Sequence, residues 1–229
     1  MAELRPFVDE AAWLDAAGKT LLEFFNTHPS ASSPPRVHVG ISGGRTPRIF
    51  YQYLRSKKLP TERIEWWIVD ERCVPPDSSD RNEAMIRCSL FAQEGLGEIP
   101  SLHGWGSLVE PDDAAAAMQV ALEQHLPPGR GLDLVFLGIG DDGHTASLFP
   151  NSPELLNCSA LALATREAHL GWRRVTFGRR LLEQSGRLVF LARGLSKAGM
   201  VERVARADAS IPAGSLHHSS QTILWLRED

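Results

Sequence analysis

Residues 137–150, LGIGDDGHTASLFP, gather more reactive side chains than any other part of the chain. Gly138, Gly140 and Gly143 make the backbone permissive, Asp141 and Asp142 precede His144, and Thr145 and Ser147 follow it. A neutral imidazole, with an unperturbed pKa of ~6.5, can take a proton from water near neutral pH. That is general-base chemistry, typically worth about 10²–10⁴-fold in rate. The carboxylate of Asp142 is close enough in sequence to fix the ring's orientation. If a helix begins at Thr145, its positive end disfavours imidazolium and keeps the base free.

Three other clusters carry charge or backbone donors. Residues 37–54, VHVGISGGRTPRIFYQYL, run from an apolar strand into a helix-like pattern through Gly43 and Gly44. These glycines serve either a tight turn or an anion cradle, in which backbone N–H groups approach a phosphate closely. Thr46 reads as a helix N-cap with Pro47 at the first helical position, so the helix would direct its positive end at the loop. Arg45 either adds charge or faces solvent. The loop matches neither G-x-G-x-x-G nor G-x-x-x-x-G-K-[ST], which removes a dinucleotide fingerprint and a Walker loop.

The second cluster, DERCVPP at residues 70–76, is either a solvated corner or a contact for phosphate and sugar oxygens. In the second reading Arg72 supplies planar, bidentate donation, and Asp70 or Glu71 fixes the guanidinium or binds a hydroxyl. The third lies near the end of the chain, where RRVTF and ARGLSKAGM put Arg174 and Lys197 beside element boundaries. A lysine near a helix start opposes the dipole, and a bound phosphate would remove that conflict. The plainer alternative is a surface lysine. His38 sits inside a strand and reads as packed. His217 and His218 lie in a loop, and no spaced set of Asp, Glu, His or Cys suggests a metal.

The elements that position these groups follow from hydrophobic patterning. Helices are expected over residues 11–25, 80–91, 112–126 and 196–207. The first is marked by Leu14, Ala17, Leu21 and Phe24. Strands are expected at 36–41, 64–69, 132–140, 161–165, 187–192 and 221–226, and the turn-rich NTHPSASSPP at 26–35 connects the first helix to the first of these. Strands alternating with helices argue for an α/β fold, a mostly parallel central sheet covered by helices on both faces in a three-layer α/β/α, Rossmann-like sandwich. In such a sheet, ligands bind beyond the carboxyl ends of the strands. Three of the clusters above stand at those ends.

The chain has 229 residues, enough for one sizeable α/β domain, and no linker divides it. A formal net charge of −4, from 24 basic and 28 acidic residues without a block of like charge, gives no support to a nucleic-acid partner or an anionic membrane. No apolar run approaches the ~20 residues that span a bilayer. The N-terminal ten residues lack the apolar core of a secretory signal. Cys73, Cys88 and Cys158 form no C-x-x-C pair and fit small buried hydrophobes in a reducing compartment.

SGGRTP, DERCVP followed by Asn82, GIGDDGHTASLFP, RVT and RGLSK occur in the order found in 6-phosphogluconolactonases, which the chain resembles over nearly its whole length. DGHTASLFP is the most specific of these motifs. The resemblance implies a cytoplasmic enzyme that hydrolyses 6-phospho-D-glucono-δ-lactone to 6-phosphogluconate in the oxidative pentose phosphate pathway, with no cofactor and no essential metal. It implies a monomer or weak homo-oligomer and a sheet-centred fold related to glucosamine-6-phosphate deaminases. The family's base matches His144, its neighbouring aspartate matches Asp142, and its phosphate and sugar contacts match Gly43, Gly44, Thr46, Arg72, Arg174 and Lys197. Arg45, Arg81 and Asp141 depart from the usual pattern. AHLGWRRVT stands where a Lys-Pro-Pro stretch is common, so His169 or Trp172 is expected to line the substrate entrance instead. Two rivals remain at this level. A deaminase-like isomerase characteristically carries Asn-Glu shortly after the histidine, where this chain has Ser147 and Leu148. A non-catalytic sugar-phosphate sensor needs the cations but not the base.

Overall fold

The most apolar runs form the middle of the molecule. The computed structural model describes residues 1–26, 36–57, 59–92, 101–106, 108, 110–156 and 159–228. In chain order the elements are β1 (Glu3–Phe7), α1 (Glu10–Asn26), β2 (Val37–Ile41), α2 (Arg45–Arg55), β3 (Ile64–Ile68) and β4 (Asp70–Arg72). Next come α3 (Asn82–Ile86), β5 (Leu102–His103), α4 (Pro111–His125), β6 (Leu134–Gly138), β7 (Ala162–Ala164), β8 (Arg174–Phe177) and α5 (Arg179–Gln184). The chain closes with β9 (Leu188–Arg193), α6 (Ala198–Ala205), α7 (Pro212–Ser215) and β10 (Gln221–Leu226).

The central sheet has seven strands in the order β1-β10-β9-β6-β2-β3-β5, every neighbouring pair parallel. All five residues of β3, IEWWI, are buried, as a strand covered on both faces requires. From β2 the chain builds outward through β3 and β5. From β6 it builds in the opposite direction through β9 and β10. The carboxyl ends of β2 and β6 therefore flank a topological switch point, the crevice where open parallel sheets bind ligands. The loop after β2 carries Gly43 and Gly44, and the loop after β6 carries His144.

Some details differ from the patterning. The buried stripe of α1 is Trp13, Ala17, Leu21 and Phe25, with Leu14 and Phe24 only partly buried against the core. Trp13 Nε1 donates to the Leu224 carbonyl at 2.9 Å, so burying this indole, worth about 1.5–3 kcal/mol, leaves no orphaned donor. The expected helix over 80–91 splits into α3 and a π-helical turn, Arg87–Phe91. The strand expected at 161–165 is β7, and it leaves the parallel sheet for a small antiparallel one, β4-β8-β7. His38 is partly buried and accepts a hydrogen bond from Trp67 Nε1 at 3.2 Å. Cys73 is partly buried and Cys88 exposed, and both are free, which corrects a fully packed reading. Cys158 and the connector at 27–35 lie outside the described residues. No helix among the described residues is long and apolar enough to cross a membrane.

Candidate active site

The two adjacent glycines are required for different reasons. Gly44 is the N-cap of α2 at φ +113°, a conformation that L side chains rarely adopt. Gly43 is a matter of space, since a Cβ there would lie 1.9 Å from Asn82 Oδ1. The helix begins at Arg45, so Thr46 is its second residue and Pro47 its third, not the cap and first position that the sequence suggests. No side chain caps this end. The loop is tied down from behind, where the buried Tyr51 hydroxyl donates to the Ser42 carbonyl at 2.7 Å.

Across the crevice, Asp142 and His144 form a pair. The ring Nδ1 lies 2.6 Å from Asp142 Oδ1, and the His144 backbone N–H donates to the same oxygen at 3.0 Å. The second bond is the local turn that aspartate favours two residues before a backbone donor. An ionised carboxylate only accepts, so Nδ1 carries a proton directed at Asp142 and Nε2 is the ring nitrogen left for chemistry. Burial alone would raise the Asp142 carboxyl. The backbone bond from His144 and the ring's charge outweigh it and hold Asp142 below its ordinary value. A Cβ on Gly140 would meet Nδ1 at 2.1 Å, so the pair can close only over a glycine. No helix starts at Thr145. That residue forms a bridge with Leu148 and its hydroxyl donates to the Gly138 carbonyl, so Asp142, not a helix dipole, sets the ring's surroundings.

The cations come from three elements. β4 and β8 pair antiparallel with Arg72 opposite Arg174, which brings together residues far apart in sequence. Arg72 Nη1 donates to the Asp80 carbonyl at 2.6 Å. Arg174 is buried. Its Nη2 donates to the His169 carbonyl at 3.2 Å, and its Nε has no partner. Desolvation draws the Arg174 pKa down and the Asp70 carboxylate opposes this, while an arginine stays charged regardless. Lys197 ends the 3-10 turn Leu195–Lys197 before α6, and its Nζ reaches the Ile139 carbonyl at 2.9 Å and Asp141. It lines the crevice rather than standing on open surface.

These groups line one cleft of about 300 Å³. Gly43, Gly44, Thr46, Asp70, Arg72, His144, Arg174 and Lys197 all face it, and Asp142 stands behind His144. Five cationic side chains, Arg45, Arg72, Arg174, Arg193 and Lys197, line it against one carboxylate, Asp70. Such a balance suits a small dianion. Glu71 is structural. It is fully buried and accepts backbone N–H bonds from Arg72, Asn82 and Glu83. Among the described residues no group of three or more His, Cys, Asp or Glu could hold a metal ion.

Several cleft residues were not singled out as site residues by sequence reasoning. Ser147 donates to Asp70 Oδ2 at 2.7 Å across the crevice. Ala146, at φ +51°, turns the backbone between His144 and Ser147, and both of these line the cleft. Arg193 and Phe149 line it as well. The segment around 169–172 is a two-residue hairpin whose tip, Leu170 and Gly171, has positive φ, and Leu170 lines the entrance. His169 does not line the cleft. It stacks on Phe149 with ring centroids 3.7 Å apart, and Phe149 in turn lies 4.8 Å from the His144 ring.

Comparison with known proteins identifies the family. The family model described as glucosamine-6-phosphate isomerases/6-phosphogluconolactonase matches residues 9–225. A 6-phosphogluconolactonase of a Nostoc species is 30% identical over 207 residues, covering 83% of this chain and 81% of that protein. One from Treponema pallidum is 32% identical over 195 residues, covering 82% and 80%. The crystal structure of 6-phosphogluconolactonase from Thermotoga maritima superposes with a TM-score of 0.83 at 25% identity, covering 100% of both chains. The chain belongs to the glucosamine-6-phosphate isomerase/6-phosphogluconolactonase family.

Proposed function

We propose that this chain hydrolyses 6-phospho-D-glucono-1,5-lactone to 6-phospho-D-gluconate, with His144 as general base. The observation that carries the reading is an imidazole oriented by Asp142 and set in a cleft lined by five cations. In this account the substrate's phosphate docks against the backbone N–H groups of Gly43, Gly44 and Thr46 at the start of α2, with Arg72, Arg174 and Lys197 adding charge. The lactone carbonyl then lies near His144. Nε2 takes a proton from water, the hydroxide attacks the carbonyl, and the tetrahedral adduct expels the ring oxygen. The imidazolium, stabilised by Asp142, returns the proton to that leaving oxygen.

The deaminase-like reading requires a carboxylate for ring opening, and Asp70 is the one carboxylate among the described cleft residues. The Asn-Glu pair characteristic of that reading is absent after His144, where Ser147 and Leu148 stand. We take the chain to act in the cytoplasm, where free thiols such as Cys73 and Cys88 persist, as a monomer or weak homo-oligomer. The test generates the lactone in place from glucose 6-phosphate and its dehydrogenase and follows acid release with and without this protein. Acceleration over spontaneous opening is expected. No acceleration, or release of ammonia from glucosamine 6-phosphate instead, would overturn the reading.

A further inference from the structure

Asp70 and Ser147 meet in the cleft as a hydrogen-bonded pair whose own protons are all engaged. Asp70 is 7% exposed and Ser147 is 1% exposed, and both line the cleft. Ser147 has one hydroxyl proton, and it is spent on Asp70 Oδ2 at 2.7 Å. The Ser147 backbone N–H is likewise engaged, donating to Thr176 Oγ1 at 3.1 Å. Asp70 is pinned from both ends, since its main-chain carbonyl accepts a bond from Asn82 Nδ2 at 2.8 Å. No hydrogen bond from a described residue reaches the remaining oxygen, Oδ1. Burial pushes this carboxyl up, while the Ser147 hydroxyl, Arg174, His144 and Arg72 favour its charged form.

We propose that Asp70, held in place by Ser147, is a specificity-determining acceptor that selects lactones bearing a ring hydroxyl able to donate to it. This rests on the lactonase reading and adds what the cleft reads besides phosphate and ester. An ionised carboxylate of fixed orientation can only accept, so it rewards a hydroxyl and is left unpaired by a substrate with hydrogen at that carbon. The cations serve every sugar phosphate alike. Discrimination among sugars must come from groups such as this pair.

The test compares kcat/KM for 6-phosphogluconolactone with that for its 2-deoxy, 3-deoxy and 4-deoxy counterparts, each prepared by oxidation of the deoxy sugar phosphate. The wild-type protein should prefer the parent over at least one deoxy lactone by about 10–100-fold, the worth of a hydrogen bond to a charged acceptor. In Asp70→Asn, whose amide can also donate, and in Ser147→Ala, which unpins the carboxylate, that preference should fall to within about 3-fold while circular dichroism stays native. If Ser147→Ala fails to fold, Asp70→Asn decides alone. A wild-type protein indifferent to all three deletions, or folded variants that keep the preference, overturns the proposal. Absent turnover of the parent lactone by the wild-type protein overturns instead the lactonase reading beneath it.

Discussion

Replacing Gly43 by alanine forces a collision whose size can be worked out. The new Cβ would stand 1.9 Å from Asn82 Oδ1 and 2.1 Å from its Cγ, far inside van der Waals contact. Asn82 is 5% exposed and cannot swing into solvent without leaving its place. Displacing it breaks the 2.8 Å bond from Nδ2 to the Asp70 carbonyl. Overpacking of this type costs about 1–3 kcal/mol, and stranding a buried acceptor costs about 1–3 kcal/mol more. The loss of about 2–6 kcal/mol corresponds to a fall in Tm of roughly 5–20 °C for a domain of this size. The discriminating control is Asn82→Ala, which removes the obstacle. Gly43→Ala should cost less than about 1 kcal/mol when added to that background, giving strong coupling between the two sites. Urea and thermal unfolding of the four proteins measure the cycle. Equal costs for Gly43→Ala in both backgrounds would show that the glycine is kept for some other reason.

Three further outcomes are expected. Asp142→Asn should lower kcat by at least about 10-fold with KM within a few-fold, because it unfixes the base rather than the phosphate, and an unchanged kcat would remove Asp142 from the mechanism. Arg174→Ala and Lys197→Ala should each raise KM about 10–100-fold and leave kcat nearly unchanged, as expected for a group that grips ground and transition states alike, and a pure kcat defect would contradict this. Asp208 is held far below its ordinary value by the Ser210 hydroxyl first and the Arg203 guanidinium second. A depressed carboxyl stabilises the fold above its unfolded value of ~3.9 and loses that contribution as pH falls through the folded value. The Tm gap between wild type and Asp208→Asn should therefore be open at pH 7 and close progressively below about pH 4, whereas a gap that widens in acid would reverse the sign.

The parallel sheet was legible because its central strands are short apolar runs, and β10 appears over 221–226 as read. β1 was not legible. It is an edge strand with Glu3, Arg5 and Pro6, and only its pairing with β10 makes it a strand. β4 was hidden for a similar reason, since three charged residues carry no strand signal and gain one from β8. His144 and Asp142 are two residues apart, so their pairing could be anticipated from spacing. Arg72 opposite Arg174 and Ser147 against Asp70 could not, because those contacts are products of the sheet topology. The cap of α2 was misread because glycine at positive φ can start a helix without the hydroxyl that marks most starts. Residues 145–148 resemble a helix start, yet the bond from the Thr145 hydroxyl to Gly138 and the left-handed Ala146 make them a turn.

The proposed reaction depends most on the His144 imidazole acting as base inside a cationic cleft, and His144→Ala tests that directly. Turnover of freshly generated lactone and binding of 6-phosphogluconate should be measured on the same folded sample. The expected result is a loss of about 10²-fold or more in turnover, the lower bound of general-base assistance, with product affinity retained. A folded variant that turns over lactone at the wild-type rate would contradict it.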